Sequence, residues 1–129
     1  MTDALFSGIY TDLYQLTMAQ VYFLTGRQNQ RAVFDYFFRK LPYSGGYTVF
    51  AGLQTALEIL RDLRFSNTDI EYLKSIGLNS EFADSLKQFR FRGSVFAAQE
   101  GEIVFPNEPI LRVEATVTEA QIVETVLLN

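Results

Sequence analysis

The chain has 129 residues with a formal net charge of −4, 48% hydrophobic residues and 20% charged residues. This is the composition of a globular domain with its own core, and it argues against disorder and against nucleic-acid binding. The chain has neither Cys nor His, which excludes disulfides, thiolate metal sites, a cysteine nucleophile and the commonest general acid/base group.

The first predicted element is a helix over residues 13–25 that ends at Gly26. Thr11 is the expected N-cap, which places Asp12 at the positive end of the helix dipole and Tyr14 close by in the first turn. Apolar residues fall almost all round this helix, so we expect it to be covered on several sides. A covered helix that begins with an acid and an aromatic ring can form one wall of a small-molecule site.

A strand is predicted over residues 32–39, with Phe34 and Tyr36 on one face and Asp35 and Arg39 on the other. The remaining predicted elements are a strand at 47–50, helices at 52–63, 66–77 and 79–89, and strands at 95–98, 102–105 and 110–114. The fold class is therefore α+β with a mainly antiparallel sheet. We expect the last three strands to fold on themselves as a compact unit.

A final helix is predicted from about residue 118, because Thr118 and Gln121 form a capping-box pattern before an apolar run. The chain ends while this pattern is still apolar. We therefore expect residues 1–129 to be the N-terminal domain of a longer protein, truncated near this helix. No apolar run has the length of a membrane span, and residues 1–10 show no signal-peptide pattern, so we expect a cytoplasmic location and no membrane partner.

A set of sequence blocks covers nearly the whole chain in order. The blocks are TDLYQLTMAQ (11–20), AVFDYFFRKLP (32–42), GGY (45–47), FAGL (50–53), LRF (63–65), YL (72–73), FRF (89–91) and VFPNEPILRV (104–113). Together they resemble the nicotinate phosphoribosyltransferase family. The resemblance implies an α/β-hammerhead-like N-terminal domain with mainly antiparallel short strands, from a protein whose (β/α) barrel domain is absent from this chain.

The resemblance also implies an activity. Enzymes of this family condense nicotinate with phosphoribosyl pyrophosphate to give nicotinate mononucleotide and pyrophosphate, a glycosyltransferase step of NAD salvage. ATP hydrolysis through a phosphorylated histidine drives the reaction, which makes it formally a ligase, and Mg²⁺ accompanies the phosphates. The family implies a homodimer that shares its active site between subunits. A chain without His lacks the phosphorylated residue, so we expect this chain alone to be inactive, with neither a catalytic residue nor a metal site.

Three residues match substrate-binding positions of the family. Tyr14 matches a tyrosine that stacks on the pyridine ring, and Asp12 matches an acid near the nucleotide. Arg39 matches a basic residue lent to the phosphate pocket of the partner subunit. Each has a structural alternative: a core or interface tyrosine, a carboxylate that stabilises the helix dipole, and a surface ion pair between Asp35 and Arg39.

Two other functions remain open from the sequence. One is a related phosphoribosyltransferase that uses nicotinamide or quinolinate, because we expect substrate choice to rest on residues of the barrel domain. A non-catalytic module is the other alternative, in which the three strands after residue 92 mediate assembly only.

Overall fold

Five α-helices and five short strands follow one another in the part of the chain that the computed structural model describes, residues 6–129. In order they are α1 (Leu13–Leu24), β1 (Arg31–Tyr36), β2 (Thr48–Val49), α2 (Leu53–Asp62), α3 (Asn67–Ser75), α4 (Ser80–Ser85), β3 (Ser94–Ala97), β4 (Ile103–Val104), β5 (Leu111–Thr116) and α5 (Val117–Leu128). This order confirms the predicted α+β class.

The strands form two antiparallel sheets. In the larger sheet β5 lies between β1 and β3, and in the smaller sheet β2 pairs with β4. The expectation of a self-contained unit of β3, β4 and β5 is therefore wrong. The reason is that β5 is a central strand, which bonds to neighbours on both edges, and its alternate residues Leu111, Val113 and Ala115 are buried in the core.

Strand β1 shows the predicted alternation. Tyr36 is buried, whereas Val33 and Asp35 on the opposite face are exposed. The strand ends at Tyr36 rather than at Arg39, because the ladder with β5 ends at the pair of Tyr36 and Leu111. Arg39 therefore lies in the segment that follows the strand.

Helix α1 is less buried than the sequence predicts. It buries Gln15, Leu16 and Ala19 against the rest of the domain. Phe23 is partly buried against the main core, whereas four other apolar side chains of the helix are exposed, namely Leu13, Met18, Val21 and Leu24. The expectation that the helix is covered on several sides is therefore wrong for the described chain, since α4 and α5 contact only one side of it.

Helix α5 begins directly at the end of β5. Thr116 is the N-cap, its hydroxyl accepts a hydrogen bond from Glu119 N at 3.3 Å, and the Glu119 carboxylate accepts one from Thr116 N at 3.0 Å. The capping box predicted for Thr118 and Gln121 is wrong, because the helix starts earlier and places both residues inside it. Gln121 is buried instead.

The main core lies where the helices meet. Its most deeply buried apolar side chains come from all five helices and the residue after α2, and they include Leu16, Leu60, Leu63, Ile70, Leu73, Phe82, Ile122 and Val123. A second cluster packs α5 against the larger sheet. Among the described helices, none is long and apolar enough to cross a membrane.

Candidate functional site

The start of α1 is tied to α5 by a threonine rather than by a helix cap. Asp12 is the N-cap residue, with extended backbone (φ −69°, ψ 144°) and no side-chain capping bond. The prediction that Thr11 caps the helix is therefore wrong. Its hydroxyl donates instead to the backbone oxygen of Ile122 at 3.3 Å, because α5 passes close to this turn.

Asp12 meets Thr125 through both its backbone and its side chain. The Asp12 N–H donates to Thr125 Oγ1 at 3.1 Å, and Thr125 Oγ1 donates to Asp12 Oδ2 at 3.2 Å. Thr125 is buried, whereas Asp12 is exposed. The carboxylate is thus held in a fixed direction at the positive end of α1, with its outer side open to solvent.

Tyr14 lies in the first turn of α1, as the sequence predicts, and its hydroxyl is bonded on two sides. Tyr14 Oη donates to Glu124 Oε1 at 3.0 Å and accepts a hydrogen bond from Gln15 Nε2. The side chain is 49% exposed. The fixed hydroxyl and the open ring leave an aromatic face available to a ligand beside Asp12.

Two buried amides extend this network. Gln121 Nε2 donates to Gln15 Oε1, and both side chains are buried. Gln121 Nε2 also lies 3.5 Å from Glu124 Oε2. A buried amide is stable only when it is hydrogen-bonded, so the pair fixes α1 against α5 at one register.

The surroundings of Tyr14 and Tyr36 raise the pKa values of both phenols. The hydrogen bond to Glu124 is the main cause of the raised pKa of Tyr14, and burial and the charges of Glu124 and Asp12 act in the same direction. Burial raises the pKa of Tyr36, and the charge of Glu124 adds to the effect. Both phenols are therefore neutral at physiological pH.

Arg39 lies apart from these residues. The segment that carries it is held by the hydrogen bond from Asn107 N to Phe38 O at 2.8 Å, and the Arg39 side chain is exposed. The ion pair expected between Asp35 and Arg39 is wrong: Asp35 pairs with Arg112 at 2.7 Å, because Arg112 lies opposite Asp35 in the antiparallel ladder. Among the hydrogen bonds and ion pairs within residues 6–129, none joins Arg39 to Tyr14 or Asp12.

Two residues of the network, Glu124 and Thr125, were not singled out from the sequence, and Gln121 was singled out only as part of a capping box. Gln121, Glu124 and Thr125 project from α5 at spacings of three and four residues, which places them on one helix face. They interrupt the apolar run over residues 120–128 of this helix. Polar residues at helical spacing inside an apolar run would have indicated a buried polar contact.

The described residues include no group of three or more Asp, Glu, His or Cys side chains that could hold a metal ion. The site therefore offers one stacking face, one carboxylate and a separate guanidinium. These are groups for holding a planar ring and a phosphate, because an aromatic face stacks on flat rings and a guanidinium matches phosphate geometry.

An apolar cavity of about 600 Å³ lies beside Tyr36 at the end of β1. Residues of α2, of the smaller sheet and of the end of α5 also line it, and the lining includes Phe50, Leu53, Ile59 and Leu127. The buried Tyr36 hydroxyl has no hydrogen-bond partner among the described residues. The cavity holds no charged side chain, so it offers no group for acid–base chemistry.

Comparison with known proteins gives a consistent result. A family model described as the nicotinate phosphoribosyltransferase (NAPRTase) N-terminal domain matches residues 9–129. The chain is 47% identical over 123 residues to nicotinate phosphoribosyltransferase of Bacillus subtilis, and the aligned region covers 95% of this chain and 25% of the relative. It is 41% identical to the Caenorhabditis elegans protein of the same name, over 98% of this chain and 23% of the relative.

Solved structures show the same fold. Human nicotinic acid phosphoribosyltransferase superimposes with a TM-score of 0.83 and 35% identity, over 92% of this chain and 24% of the human chain. Nicotinate phosphoribosyltransferase of Vibrio cholerae superimposes with a TM-score of 0.67 at 19% identity, a likeness of fold alone. The chain spans about a quarter of the length of the curated relatives that it matches.

Proposed function

The chain belongs to the nicotinate phosphoribosyltransferase N-terminal domain family, and from this premise we propose that its complete gene product transfers a phosphoribosyl group to nicotinate in NAD salvage. The observation that carries the proposal is the family match over residues 9–129, together with the exposed ring of Tyr14 beside Asp12 at the start of α1. The activity is proposed for the complete gene product and not for this chain by itself.

In the proposed reaction, the pyridine nitrogen of nicotinate attacks C1 of the ribose in phosphoribosyl pyrophosphate. The bond from C1 to the pyrophosphate oxygen breaks, and pyrophosphate leaves with the electron pair. Little proton transfer is needed, so the protein acts mainly by holding the ring in line with C1 and by stabilising charge.

We assign the ring of Tyr14 to one face of the pyridine and Asp12 to the neighbourhood of the nucleotide. The support for Tyr14 is its geometry: the hydroxyl is fixed and the ring is about half exposed. The support for Asp12 is its fixed carboxylate at the exposed end of the same turn. Its role at the positive end of the helix dipole is compatible with a role in binding.

Arg39 is proposed to bind phosphate in the active site of a neighbouring subunit. Its exposed guanidinium has no carboxylate partner in the described chain, and Asp35 is already paired with Arg112. The proposed assembly is a homodimer with shared active sites. The exposed apolar residues of α1, Leu13, Met18, Val21 and Leu24, support it, because apolar residues clustered on one helix face are typical of an interface.

ATP and Mg²⁺ belong to the proposed reaction of the complete gene product. The described residues do not fit a metal site, since they include no suitable cluster of ligands. We therefore assign neither ATP nor Mg²⁺ to a residue of this chain. We propose a cytoplasmic location for the reaction.

The direct test is an assay of the purified complete gene product with phosphoribosyl pyrophosphate, ATP and Mg²⁺. Nicotinate, nicotinamide and quinolinate are supplied separately, and pyrophosphate and the mononucleotide are measured. We expect turnover with nicotinate and little with the other two. Preferred turnover of nicotinamide or quinolinate would assign the protein to a related enzyme, and no turnover of any of them would overturn the proposal.

A further inference from the structure

The hydroxyl of Tyr14 is occupied by the protein itself. Its proton is donated to Glu124 Oε1 at 3.0 Å, and one acceptor position is taken by Gln15 Nε2. The side chain is nevertheless about half exposed. A ligand at this position therefore meets the ring face, and the hydroxyl serves to hold that face in place.

From this geometry we infer that Glu124 is a positioning residue for pyridine binding, because its carboxylate fixes the orientation of the Tyr14 ring on which the substrate stacks. The inference rests on the proposed function and deepens it. Glu124 does not touch the substrate in this assignment. It acts only through the phenol.

The side chain of Glu124 is itself held in place by neighbouring side chains. Glu124 lies on α5 one turn after Gln121, and Gln121 donates to the fully buried Gln15. Gln15 in turn donates to the Tyr14 hydroxyl, which closes a ring of four side chains across the α1–α5 contact. A side chain held by a second set of buried contacts is preorganised, so a ligand does not have to immobilise it.

A free tyrosine at a helix start would populate several staggered rotamers. Only the rotamers that present the ring to the ligand would bind it. Loss of the hydrogen bond to Glu124 therefore lowers the fraction of molecules in which Tyr14 has a binding-competent rotamer. We therefore expect the affinity for the pyridine to fall and the affinity for the phosphoribosyl donor to stay unchanged. This separates positioning from a general loss of structure.

A matched pair of variants isolates the hydrogen bond. Glu124→Gln keeps the length of the side chain and an oxygen that accepts the Tyr14 proton. Glu124→Met keeps the length and the helix propensity but lacks a strong acceptor. Tyr14→Phe removes the hydroxyl and keeps the ring. Glu71→Met, an exposed acid on α3, controls for the loss of one negative charge.

The experiment measures kcat, the KM for nicotinate, the KM for phosphoribosyl pyrophosphate and the Tm of each variant of the complete gene product. For Glu124→Met we expect the KM for nicotinate to rise about fivefold, with an unchanged KM for the donor, as an anchor worth about 1 kcal/mol would give. Glu124→Gln and Glu71→Met should stay near the wild-type value. In the Tyr14→Phe background, Glu124→Met should add no further change, because both substitutions remove the same bond.

An unchanged KM for nicotinate in Glu124→Met, or an additive effect in the double variant, would overturn the positioning role while the proposed function stands. A wild-type protein without nicotinate turnover would overturn both. If Glu124→Met does not fold, Glu124→Ala takes its place in the same cycle, with the same two outcomes.

Discussion

Gln121 donates its side-chain N–H to the side-chain oxygen of Gln15, and this amide pair is buried between α5 and α1. The two residues are separated by 106 positions in the chain. The bond therefore joins the first helix to the last one and helps to fix the position of the start of α1.

Breaking this pair from one side should be costly. In Gln121→Leu the oxygen of Gln15 loses its partner inside the protein, and we expect a loss of about 1–3 kcal/mol in the free energy of unfolding. The double variant Gln15→Leu/Gln121→Leu should lose less than the sum of the single variants, because no buried amide is left unpaired. Urea unfolding of the wild type, the two single variants and the double variant checks this, and strict additivity would contradict the coupling.

The stacking role of Tyr14 gives a second prediction. In the complete gene product, Tyr14→Ala should raise the KM for nicotinate roughly five- to a hundredfold, since alanine substitution of an aromatic that stacks on a nucleobase costs about 1–3 kcal/mol. Tyr14→Phe should cost less, because it keeps the ring. Steady-state kinetics with both substrates measure this, and an unchanged KM for nicotinate in Tyr14→Ala would show that the ring does not touch the substrate.

Arg39 gives a third prediction, on the other substrate. Arg39→Ala should raise the KM for phosphoribosyl pyrophosphate about tenfold or more, because a hydrogen bond to a charged group contributes about 1.5–3 kcal/mol. The KM for nicotinate should change little. Arg31→Ala, which removes an exposed arginine at the start of β1, is the control. Equal effects of the two substitutions would point to general electrostatics instead of phosphate binding.

The ion pair of Asp35 and Arg112 predicts a pH dependence of stability. The hydrogen bond from Arg112 lowers the pKa of Asp35 below its ordinary value of 3.8. A lowered pKa in the folded state means that the pair stabilises the protein above about pH 3.8 and that this contribution is lost as the pH falls through the folded pKa. The difference in Tm between wild type and Asp35→Asn should therefore shrink below pH 3.8. In an Arg112→Gln background, this difference in Tm should be absent at every pH.

Gly93 gives a prediction about packing next to β5. A Cβ atom at Gly93 would lie 2.6 Å from the Cβ of Ala115 and 2.8 Å from the backbone oxygen of Glu114. Gly93→Ala should therefore destabilise the protein by about 1–3 kcal/mol, the usual cost of overpacking. Gly46→Ala meets no atom within 4 Å and serves as the control. Equal Tm values for the two variants would contradict this close approach.

Local signals in the sequence predict local structure well here. The alternation of β1 follows from the residue types of that strand, and Ser66 and Asp69 form the capping box of α3 at the position where a helix is predicted. The position of Tyr14 and Asp12 at a helix start is local in the same sense. These features depend on residues within one or two turns of each other.

Long-range pairing could not be predicted in this way. Asp35 and Arg112 are 77 positions apart, and Tyr14 and Glu124 are 110 apart. Which strand lies beside β1 depends on the whole sheet, and the start of α5 depends on where β5 stops. The pattern of Thr118 and Gln121 matches a capping box as well as that of Thr116 and Glu119 does. The helix begins at the earlier pattern because the pairing of β5 with β1 ends at Thr116.

Thr116 is both the last residue of β5 and the cap of α5, so no hinge separates the sheet from the helix that carries Glu124. One residue inserted after Thr116 would rotate every side chain of α5 by about 100° about the helix axis. Glu124 would then turn away from Tyr14 although each helix and strand remained intact. The phase of the last helix, set at a single junction, thus governs an aromatic ring near the opposite end of the sequence.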